Sequence, residues 1–390
     1  MSGADVVVIG GGIVGCSAAM FLAEAGVDVM LIDRGPVSGE ASGVNAGMID
    51  APGEGGGSDL DVLLKMGSSQ LFATMQHERS VDIGYRAEGQ LVLAGTEQEW
   101  EWATSTPHGA GVELVDRDAL RSVEPAVGPA AVGGLFTAGG GCAEPDLATR
   151  AFADAAAAAG CRIATGRAVS AIDPAPAGYR LTTSQGPISA ATVVIAAGAW
   201  CAEVGHMLGL RIPVSPVRGQ MWATAPLDPA LGSTIAGLES AHHWAHAPAT
   251  EPPHTTHPHG PRVTRHLYGR QRRTGEVIFG GDRVPTADRT VDGDGIASNH
   301  AHAAALLPFL VDHPPVRTWS GLMPFSDDGI PFIGPIRERP GVVIGAGLAS
   351  SGFGRGPMTG RLAADTVLGL ALPAAAAAAH PGGRITELAI

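Results

Sequence analysis

Asp5-Val-Val-Val-Ile-Gly-Gly-Gly-Ile-Val-Gly15 joins a β-branched run directly to a glycine-rich turn near the start of the chain. The run predicts a short strand that is buried on both faces, and residues 16–26 predict a helix that glycine ends. A second buried strand is predicted at residues 28–32, followed by Asp33 and Arg34. Strand, glycine turn, helix and strand in this order predict a βαβ unit of a doubly wound α/β sheet.

Gly10, Gly12 and Gly15 have the GxGxxG spacing of dinucleotide-binding turns. Glycine allows the tight turn, the approach of the backbone to a pyrophosphate and the close packing of helix on strand. The N-terminus of the following helix offers N–H groups and a positive dipole to phosphates. Asp33 lies where a carboxylate accepts the ribose hydroxyls, so the unit predicts an FAD or NAD site. The alternative is a glycine turn without a ligand.

The composition of the 390 residues restricts the class of protein. Acidic residues outnumber basic ones by 38 to 25, which gives a net charge of −13, and no basic stripe is present, so nucleic acid is not an expected partner. Four cysteines without a CxxC pair favour neither a disulfide framework nor a cysteine metal site, which fits a cytoplasmic location. The uncharged run 6–23 has no basic residue before it and four glycines within it, so neither an export signal nor a membrane span is expected.

Further motifs follow along the chain in a fixed order. They are the small, polar, glycine-rich residues 41–49, the segments Thr192-Val-Val-Ile-Ala-Ala-Gly-Ala-Trp200 and Pro216-Val-Arg-Gly-Gln220, the segment Trp319-Ser-Gly-Leu-Met-Pro-Phe-Ser-Asp-Asp-Gly-Ile-Pro-Phe-Ile-Gly334, and the glycine loop 346–354. With these motifs the sequence resembles the FAD-dependent amine oxidoreductase family that includes glycine oxidase, D-amino acid dehydrogenases, sarcosine oxidase and D-amino acid oxidase. The resemblance extends over nearly the whole chain.

The resemblance implies an α/β architecture in which a doubly wound, Rossmann-type FAD-binding domain is interleaved with an α+β substrate domain on a mixed or antiparallel sheet. Residues 1–50, 141–215 and 319–372 are assigned to the FAD-binding domain, 51–140 and 216–318 to the substrate domain, and 373–390 to a C-terminal tail. Alternating apolar residues at 90–94 and 276–280 predict antiparallel strands. A final helix is predicted at residues 358–368, and the ligand cleft is expected between the two domains.

The resemblance also implies FAD as the cofactor. Sarcosine oxidases attach it through a cysteine that would align near Gly321, and residues 34–50 contain no histidine for attachment, so non-covalent FAD is expected. A helix N-terminus at the glycine loop would stabilise negative charge on the reduced flavin. The expected cofactor-binding residues are Gly10, Gly12, Ile13, Val14, Gly15, Asp33, Arg34, Ala41, Ser42, Asn45, Ala46, Gly47, Met48, Val169, Ala197, Gly198, Trp200, Gly321, Gly347, Leu348, Ala349, Ser350, Ser351, Gly352 and Phe353.

The substrate carboxylate is where this sequence departs from the family. Members similar to glycine oxidase carry arginines at the positions of Met323 and Ser350, so another arginine is expected to bind a carboxylate, or the substrate is not a simple α-amino acid. The candidates are Arg355, Arg270 and Arg265, with Tyr268 on the strand that often faces the substrate. Alternatively, the arginines 265, 270, 272 and 273 form a solvated hairpin edge.

Residues 242–266 are rich in histidine and proline. Some histidine spacings there could hold zinc or copper, but the proline density favours a surface insertion, and no metal site is assigned. A substrate lid is a further alternative, in which His243 and His246 would reach the substrate.

The implied activity is the oxidation of the C–N bond of a primary or secondary amine, an amino acid or N-substituted amino acid, to an imine that hydrolyses. The electron acceptor is oxygen or another molecule, because Lys65 is the single lysine and an oxygen-activating lysine is doubtful. The alternative function is a dehydrogenase subunit that passes electrons to a partner protein. A homo-oligomer is also compatible with the sequence.

Overall fold

The computed structural model describes residues 2–49, 58–109, 111–246 and 266–388. Within these ranges the α-helices are α1 (Ile13–Glu24), α2 (Ala41–Val44), α3 (Asp59–Ala73), α4 (Glu97–Ser105), α5 (Leu120–Val123), α6 (Pro145–Ala158), α7 (Cys201–Met207), α8 (Glu239–His246), α9 (Gly293–Leu306) and α10 (Gly352–Val367). A π-helical turn at Thr74–Glu78 extends α3, and short 3-10 turns occur at Gly198–Trp200, Pro308–Asp312, Ala349–Ser351 and Ala374–Ala379.

The strands of the described ranges are β1 (Ser2–Ile9), β2 (Val29–Ile32), β3 (Met48–Ile49), β4 (Gln90–Ala94), β5 (Val112–Asp116), β6 (Gly133–Thr137), β7 (Gly141–Cys142), β8 (Arg162–Ala164), β9 (Val169–Ala175), β10 (Gly178–Thr183), β11 (Ile188–Ile195), β12 (Leu210–Arg211), β13 (Val214–Pro226), β14 (Thr234–Gly237), β15 (Tyr268–Gln271), β16 (Glu276–Val284), β17 (Arg317–Ser326), β18 (Phe332–Pro335), β19 (Val342–Ala346) and β20 (Thr386–Glu387). They form two large sheets and two short pairs.

The first sheet has the strand order β18-β19-β11-β1-β2-β8. The pairs from β19 to β8 are parallel, β18 is antiparallel to β19, and β9 and β10 form an antiparallel extension of β11. The apolar face toward α1 and α6 and the opposite face toward α7 are both buried. A parallel sheet that is covered on both faces is the predicted doubly wound arrangement.

The second sheet has the order β17-β13-β16-β15-β14-β4-β6-β5. Its pairs are antiparallel except for β14 and β4, which makes it the mixed sheet that the sequence analysis predicts. The predicted strand at residues 90–94 is observed as β4 with the same bounds. The domain boundaries stay a prediction, and β17 pairs with β13 in the second sheet although residue 319 was assigned as the start of an FAD-binding segment.

Helix α10 begins at Gly352, six residues before the predicted start at residue 358. Pro357 therefore lies inside the helix, where it removes one backbone donor. Close packing on α1 explains why the helix nevertheless continues, because a Cβ at Gly360 would lie 2.4 Å from the carbonyl oxygen of Val14. This contact holds the N-terminus of α10 beside the N-terminus of α1.

The residues after 372 are integrated into the fold. Ala376 and Ala379 are buried beside α3, and β20 pairs with β12. None of the helices in the described ranges is both long and apolar enough to cross a membrane. All four cysteines are unpaired and buried, and burial raises the pKa of the Cys142 thiol to about 11 and that of Cys201 to about 12.

Candidate active site

A cavity of about 750 Å³ lies between the carboxyl edge of the first sheet and one face of the second sheet. Its walls come from the glycine turn after β1, from residues 40–48, from the loop that precedes α10 and from seven described strands of the second sheet. Ligands of open α/β sheets bind at the carboxyl ends of the parallel strands, so this position is the expected one.

The glycine turn after β1 is closed by backbone contacts that leave no room for side chains. Gly10 has φ +122°, and a Cβ there would lie 2.3 Å from the carbonyl oxygen of Ala196. A Cβ at Gly15 would lie 1.9 Å from the carbonyl oxygen of Gly10. Because both contacts are to backbone atoms, only glycine permits this turn, which presents the N-terminus of α1 to the cavity.

Ser42 stabilises the N-terminus of α1 from a neighbouring segment. The Ile13 N–H donates to the Ser42 Oγ over 3.0 Å, while the residue before the helix, Gly12, supplies no side-chain cap. Asn45 holds this segment in shape, since its Nδ2 donates to the carbonyl oxygen of Ala41 and its Oδ1 accepts from the N–H of Gly47. The indole N–H of Trp319 donates to the carbonyl oxygen of Val44 over 2.6 Å and ties the segment to the second sheet.

Asp33 organises the other side of the glycine turn. Its Oδ2 accepts from the Gly11 N–H over 2.6 Å, and its Oδ1 accepts from the Gly35 N–H over 2.7 Å. The guanidinium of Arg34 lies 3.8 Å from the ring centroid of Trp200, a cation–π arrangement at the rim of the cavity.

The loop before α10 carries an unusual backbone conformation and a charged cluster. Ala349 has φ +51°, a left-handed conformation that is strained for alanine, and it lines the cavity. Arg355, one turn into α10, forms an ion pair with Asp61 of α3, and the Lys65 ammonium lies 3.1 Å from the same carboxylate. The positive charge of Arg355 is therefore compensated by the carboxylate of Asp61.

The second sheet turns a sparsely filled face toward the cavity. Gly219 of β13 pairs with Gly321 of β17 on one side and with Arg283 of β16 on the other. Directly opposed residues share a face of a sheet, so two positions without side chains lie beside a buried cation. Met323 covers Gly219, since its Cε lies 2.9 Å from where a Cβ would be.

Comparison with known proteins places this geometry in a family. The model of the DAO family, FAD dependent oxidoreductase, matches residues 5–366. A glycine oxidase of Geobacillus kaustophilus (strain HTA426) is 30% identical over 375 residues, which cover 93% of this chain and 92% of that protein. The chain belongs to the DAO family of FAD-dependent oxidoreductases.

Further relatives support the assignment to this family. The crystal structure of glycine oxidase from Geobacillus kaustophilus superposes with a TM-score of 0.82 at 27% identity and covers 97% of this chain and 98% of that one. An opine oxidase subunit of Rhizobium meliloti is 24% identical over 354 residues, and the match covers 87% of each chain. The predicted family, fold class, FAD requirement and oxidation of an amine C–N bond are thereby confirmed.

The DAO-family cofactor fits the cradle of this chain. A Cβ at Gly10 or Gly15 would clash with backbone atoms, so the turn leaves room for a close approach of the cofactor. The N-termini of α1 and α10 face the same cavity, and Asp33 lies next to the turn. The following expected cofactor residues line the cavity: Gly10, Gly12, Ile13, Val14, Asp33, Arg34, Ala41, Ser42, Asn45, Ala46, Gly47, Met48, Val169, Ala197, Gly198, Trp200, Gly321, Gly347, Leu348, Ala349, Ser350, Ser351, Gly352 and Phe353. Gly15 does not line the cavity, but its close contact with Gly10 keeps the glycine turn in shape.

Arg270, an expected substrate residue, lies beneath the cavity wall instead. Its side chain is fully buried, its Nε donates to the carbonyl oxygen of Ala46 over 2.5 Å, and its Nη1 donates to Glu144 over 3.2 Å. Burial opposes ionisation of Glu144, but Arg270 and Arg272 lower the pKa of its carboxyl below the ordinary value. Arg270 thus supports residues 41–48 from below. Among the described arginines of this group, Arg273 is the exposed one that matches the alternative of a solvated edge.

The remaining expected substrate residues are divided. Tyr268, Met323, Ser350 and Arg355 line the cavity. Arg265 and the proline-rich residues 247–265 lie outside the described residues. His243 and His246 lie on α8. Among the described residues of that helix, Ser240 and Ala241 line the cavity, and the two histidines do not. No group of residues that could hold a metal ion occurs in the described ranges.

Arg283 is a cavity residue that sequence reasoning missed. Strand alternation places it on the same face as Gly281, but the ladder between β13 and β16 shifts register there, with Asp282 opposite Gln220 and Gly280 opposite Met221. This bulge brings Arg283 to the cavity face. Burial lowers the pKa of its guanidinium to about 10, so it remains charged at neutral pH. Gly280-Gly281 is the only local signal of the bulge.

Proposed function

We propose that the substrate is an amino acid or N-substituted amino acid, bound between the loop before α10 and the glycine face of the second sheet. The observation that carries this proposal is the arrangement of Arg283, Gly219 and Gly321 in one cross-strand row on the cavity face. Such a row offers a cation at one end and two glycines next to it, flanked by the flexible side chain of Met323 and by Val44, which suits a small carboxylate with an attached amine.

The expected cofactor residues have the following proposed roles. The N–H groups at the start of α1 bind the pyrophosphate, with Ser42 fixing the segment that covers it. Asp33 binds the ribose hydroxyls while it retains its backbone hydrogen bonds. The N-terminus of α10, beginning at Gly352, faces the pyrimidine edge of the flavin. Attachment is non-covalent.

FAD, when bound, supplies the two-electron acceptor for the substrate C–H bond that is next to nitrogen. The task of this chain is to orient that bond and to hold the carboxylate. Arg283 is suited to this because it is buried, charged and in contact with His266. Burial and the nearby Arg283 lower the pKa of His266 well below its usual range, so this imidazole is neutral.

Arg283 takes over the role that Met323 cannot perform. Adjacent strands lie roughly 4.8 Å apart, and β16 and β17 flank β13 on opposite sides, so an arginine on either strand can reach the space above Gly219. Arg355 is a weaker candidate for the carboxylate because an anion would compete with Asp61 for its guanidinium.

Anaerobic mixing of the FAD-loaded protein with amines tests the proposal. The panel contains glycine, sarcosine, both enantiomers of alanine and proline, and larger N-substituted amino acids, together with the matching amines that lack a carboxylate. We expect the visible absorption of the oxidised flavin to disappear with one class of amino acids and not with the decarboxylated amines. Equal bleaching by amines without a carboxylate would overturn the proposed substrate class.

The variants Arg283→Met and Arg355→Met show which of the two arginines binds the substrate carboxylate. Loss of a charge-assisted contact should weaken binding of the carboxylate substrate by about 1.5–3 kcal/mol. Arg355→Met should have a smaller effect, and Arg273→Met, at an exposed position, serves as the control. If Arg355→Met raises the substrate dissociation constant more than Arg283→Met does, the carboxylate lies at the loop before α10.

A second candidate function is a subunit that passes electrons to a partner protein, as the name of the related opine oxidase subunit of Rhizobium meliloti suggests. Substrate would then bleach the flavin, but air would restore the colour slowly and an artificial acceptor dye rapidly. Fast re-oxidation by air with formation of peroxide would favour an oxidase. The cytoplasmic location and a homo-oligomer stay predictions from the sequence.

A further inference from the structure

The cavity continues beyond the proposed carboxylate site into an apolar extension that neither FAD binding nor a carboxylate requires. We call Trp102, Val92, Leu135, Ala236 and Leu238 the apolar arm, and all of them line the cavity. Resting on the proposed function, we propose that the apolar arm receives an apolar substituent of aromatic size on the substrate. The substrate class is then a bulky amino acid, or one with a bulky N-substituent, rather than glycine.

The floor of the apolar arm is one cross-strand row. Leu135 of β6 is opposite Val92 of β4, Val92 is opposite Ala236 of β14, and Ala236 is opposite Tyr268 of β15. Opposed residues lie on the same face of a sheet, so the four side chains form a continuous surface. Ala236 is the smallest of them and leaves a depression between Val92 and Tyr268.

The same row connects the apolar arm to the proposed substrate site. Tyr268 is opposite Gly280 of β16, and Gly280 is opposite Met221 of β13. Arg283 lies further along β16 on the same face. From β16 to β4 there are three strand spacings, or roughly 14 Å. This length is more than glycine or alanine fills when the carboxylate lies at Arg283.

The roof of the apolar arm comes from two helices. Trp102 of α4 contacts His242 of α8 edge-on, with ring centroids 5.7 Å apart, and packs in the same cluster as Val92 and Leu238. Leu135 and Leu238 are almost completely buried, whereas Trp102 is partly exposed toward the cavity. An indole above a row of aliphatic side chains favours a flat apolar group and disfavours a charged one.

Stepwise enlargement of the substrate tests the apolar arm. The FAD-loaded protein is mixed anaerobically with glycine, alanine, leucine, phenylalanine and N-benzylglycine, in both enantiomers where they exist, and flavin bleaching is followed. We expect half-maximal bleaching at concentrations at least about tenfold lower for the best bulky substrate than for glycine, since one methylene in an apolar pocket changes specificity by roughly tenfold or more. Glycine or alanine as the best substrate would overturn the inference and leave the proposed function intact.

Two variants assign the effect to the apolar arm. Ala236→Trp fills the depression, so it should raise the concentration needed for the bulky substrate at least about tenfold and leave that for alanine nearly unchanged. Trp102→Ala removes the roof without overpacking and should act in the same direction. Leu114→Trp, on the exposed side of β5, is the matched control. Equal effects of Ala236→Trp on bulky and small substrates would contradict the assignment.

A non-oxidisable probe keeps the two proposals distinguishable. Binding of 3-phenylpropanoate and of acetate is measured through the shift that they cause in the visible flavin spectrum. Tighter binding of 3-phenylpropanoate that is lost in Trp102→Ala supports the apolar arm, even if no amine bleaches the flavin and the proposed function fails. Equal binding of the two acids, or tighter binding that Trp102→Ala leaves unchanged, would overturn the inference.

Discussion

The two walls of the cavity are built by different means. The first-sheet wall consists mainly of backbone: a glycine turn, two helix N-termini and a loop, held by hydrogen bonds such as those that Asp33 accepts from Gly11 and Gly35. The second-sheet wall consists of side chains on strands that are far apart in sequence, from Val92 to Met323. The first wall, made of backbone atoms, suits a large ligand that stays the same. Side-chain substitutions on the second wall are expected to change the ligand that binds there.

From this difference we expect that an arginine at the position of Met323 can be exchanged without loss of the proposed cofactor site. Met323 and Arg283 occupy strands on either side of β13, and neither contributes to the turn that contains Gly10 and Gly15. A substitution on the second wall is expected to change which group is bound there. A substitution on the first wall removes the space or the hydrogen bonds that the cofactor needs.

The largest effect is expected when a side chain is placed within the first wall. Gly15→Val would drive its Cβ against the carbonyl oxygen of Gly10, where backbone must move, and should cost about 3 kcal/mol of unfolding free energy and abolish FAD retention. The ratio of visible to protein absorbance and the Tm measure both. Gly293→Ala, where a Cβ meets open space, is the control. A yellow, stable Gly15→Val protein would show that the turn is not the cofactor cradle.

The next effect concerns the residue that joins the two walls. Arg270→Leu leaves Glu144 with Arg272 as its cation and removes the hydrogen bonds to the carbonyl oxygens of Ala46 and Ala143, so a loss of about 2–3 kcal/mol of unfolding free energy is expected. Urea unfolding measures it.

Substrate affinity in the surviving Arg270→Leu protein sharpens the comparison. It should stay close to that of the parent, because Arg270 lies beneath the wall rather than in the cavity. Arg273→Leu, at an exposed hairpin position, is the control for a loss of charge. A stable Arg270→Leu protein that binds substrate poorly would restore Arg270 as a substrate residue.

Ser42→Ala tests the hydrogen bond that closes the first wall. Removal of the acceptor for the Ile13 N–H should cost about 1 kcal/mol and weaken FAD binding by up to about fivefold. Titration of the apoprotein with FAD gives the dissociation constant, and Ser189→Ala, at an exposed position, controls for the loss of a hydroxyl group. Unchanged affinity would show that residues 41–44 are held to α1 by packing alone.

The smallest expected effect is a pH dependence of the free energy of unfolding, which comes from an ion pair between α8 and α9. His302 of α9 lies 3.5 Å from Glu239 at the start of α8. Burial alone would lower the pKa of His302, but contact with Glu239 and the charges of Glu239 and Glu99 raise it above the ordinary value of 6.5. The ion pair therefore stabilises the folded state fully below pH 6.5 and is lost as the pH rises through the higher folded-state pKa.

Unfolding free energies of the parent and of His302→Gln at several pH values measure this effect. The difference between them should shrink as the pH rises from about 6 to 8.5, and it should amount to less than about 1 kcal/mol. His206→Gln, at the surface, is the control. A difference that is constant with pH would assign His302 a packing role only.

The first wall was predictable because each of its parts is local. The β-branched run, the glycine spacing and Asp33 lie within one βαβ unit, and the expected cofactor residues except Gly15 line the cavity. The start of α10 was predicted six residues too late, since the helix contains Pro357 and packing of Gly360 on α1 lets it continue through that residue. Local propensity is overridden there by a tertiary contact.

The second wall was predicted less well because strand pairing decides which side chains face the cavity. Arg270 was expected at the substrate and lies under residues 41–48, whereas Arg283 was not among the expected residues and reaches the cavity through a bulge. The tertiary pairing of β13 with β16 also determines that Gly219 lies beside Arg283.

The sequence by itself determined the family, the cofactor and the glycine turn that is proposed to bind it, since close approach of backbone atoms requires glycine at fixed spacing. Only the tertiary structure decided which arginine reaches the cavity and that an apolar row leads away from it. The physical reason is that one residue of register shift moves a side chain to the opposite face of a sheet, and that shift depends on strands distant in the chain.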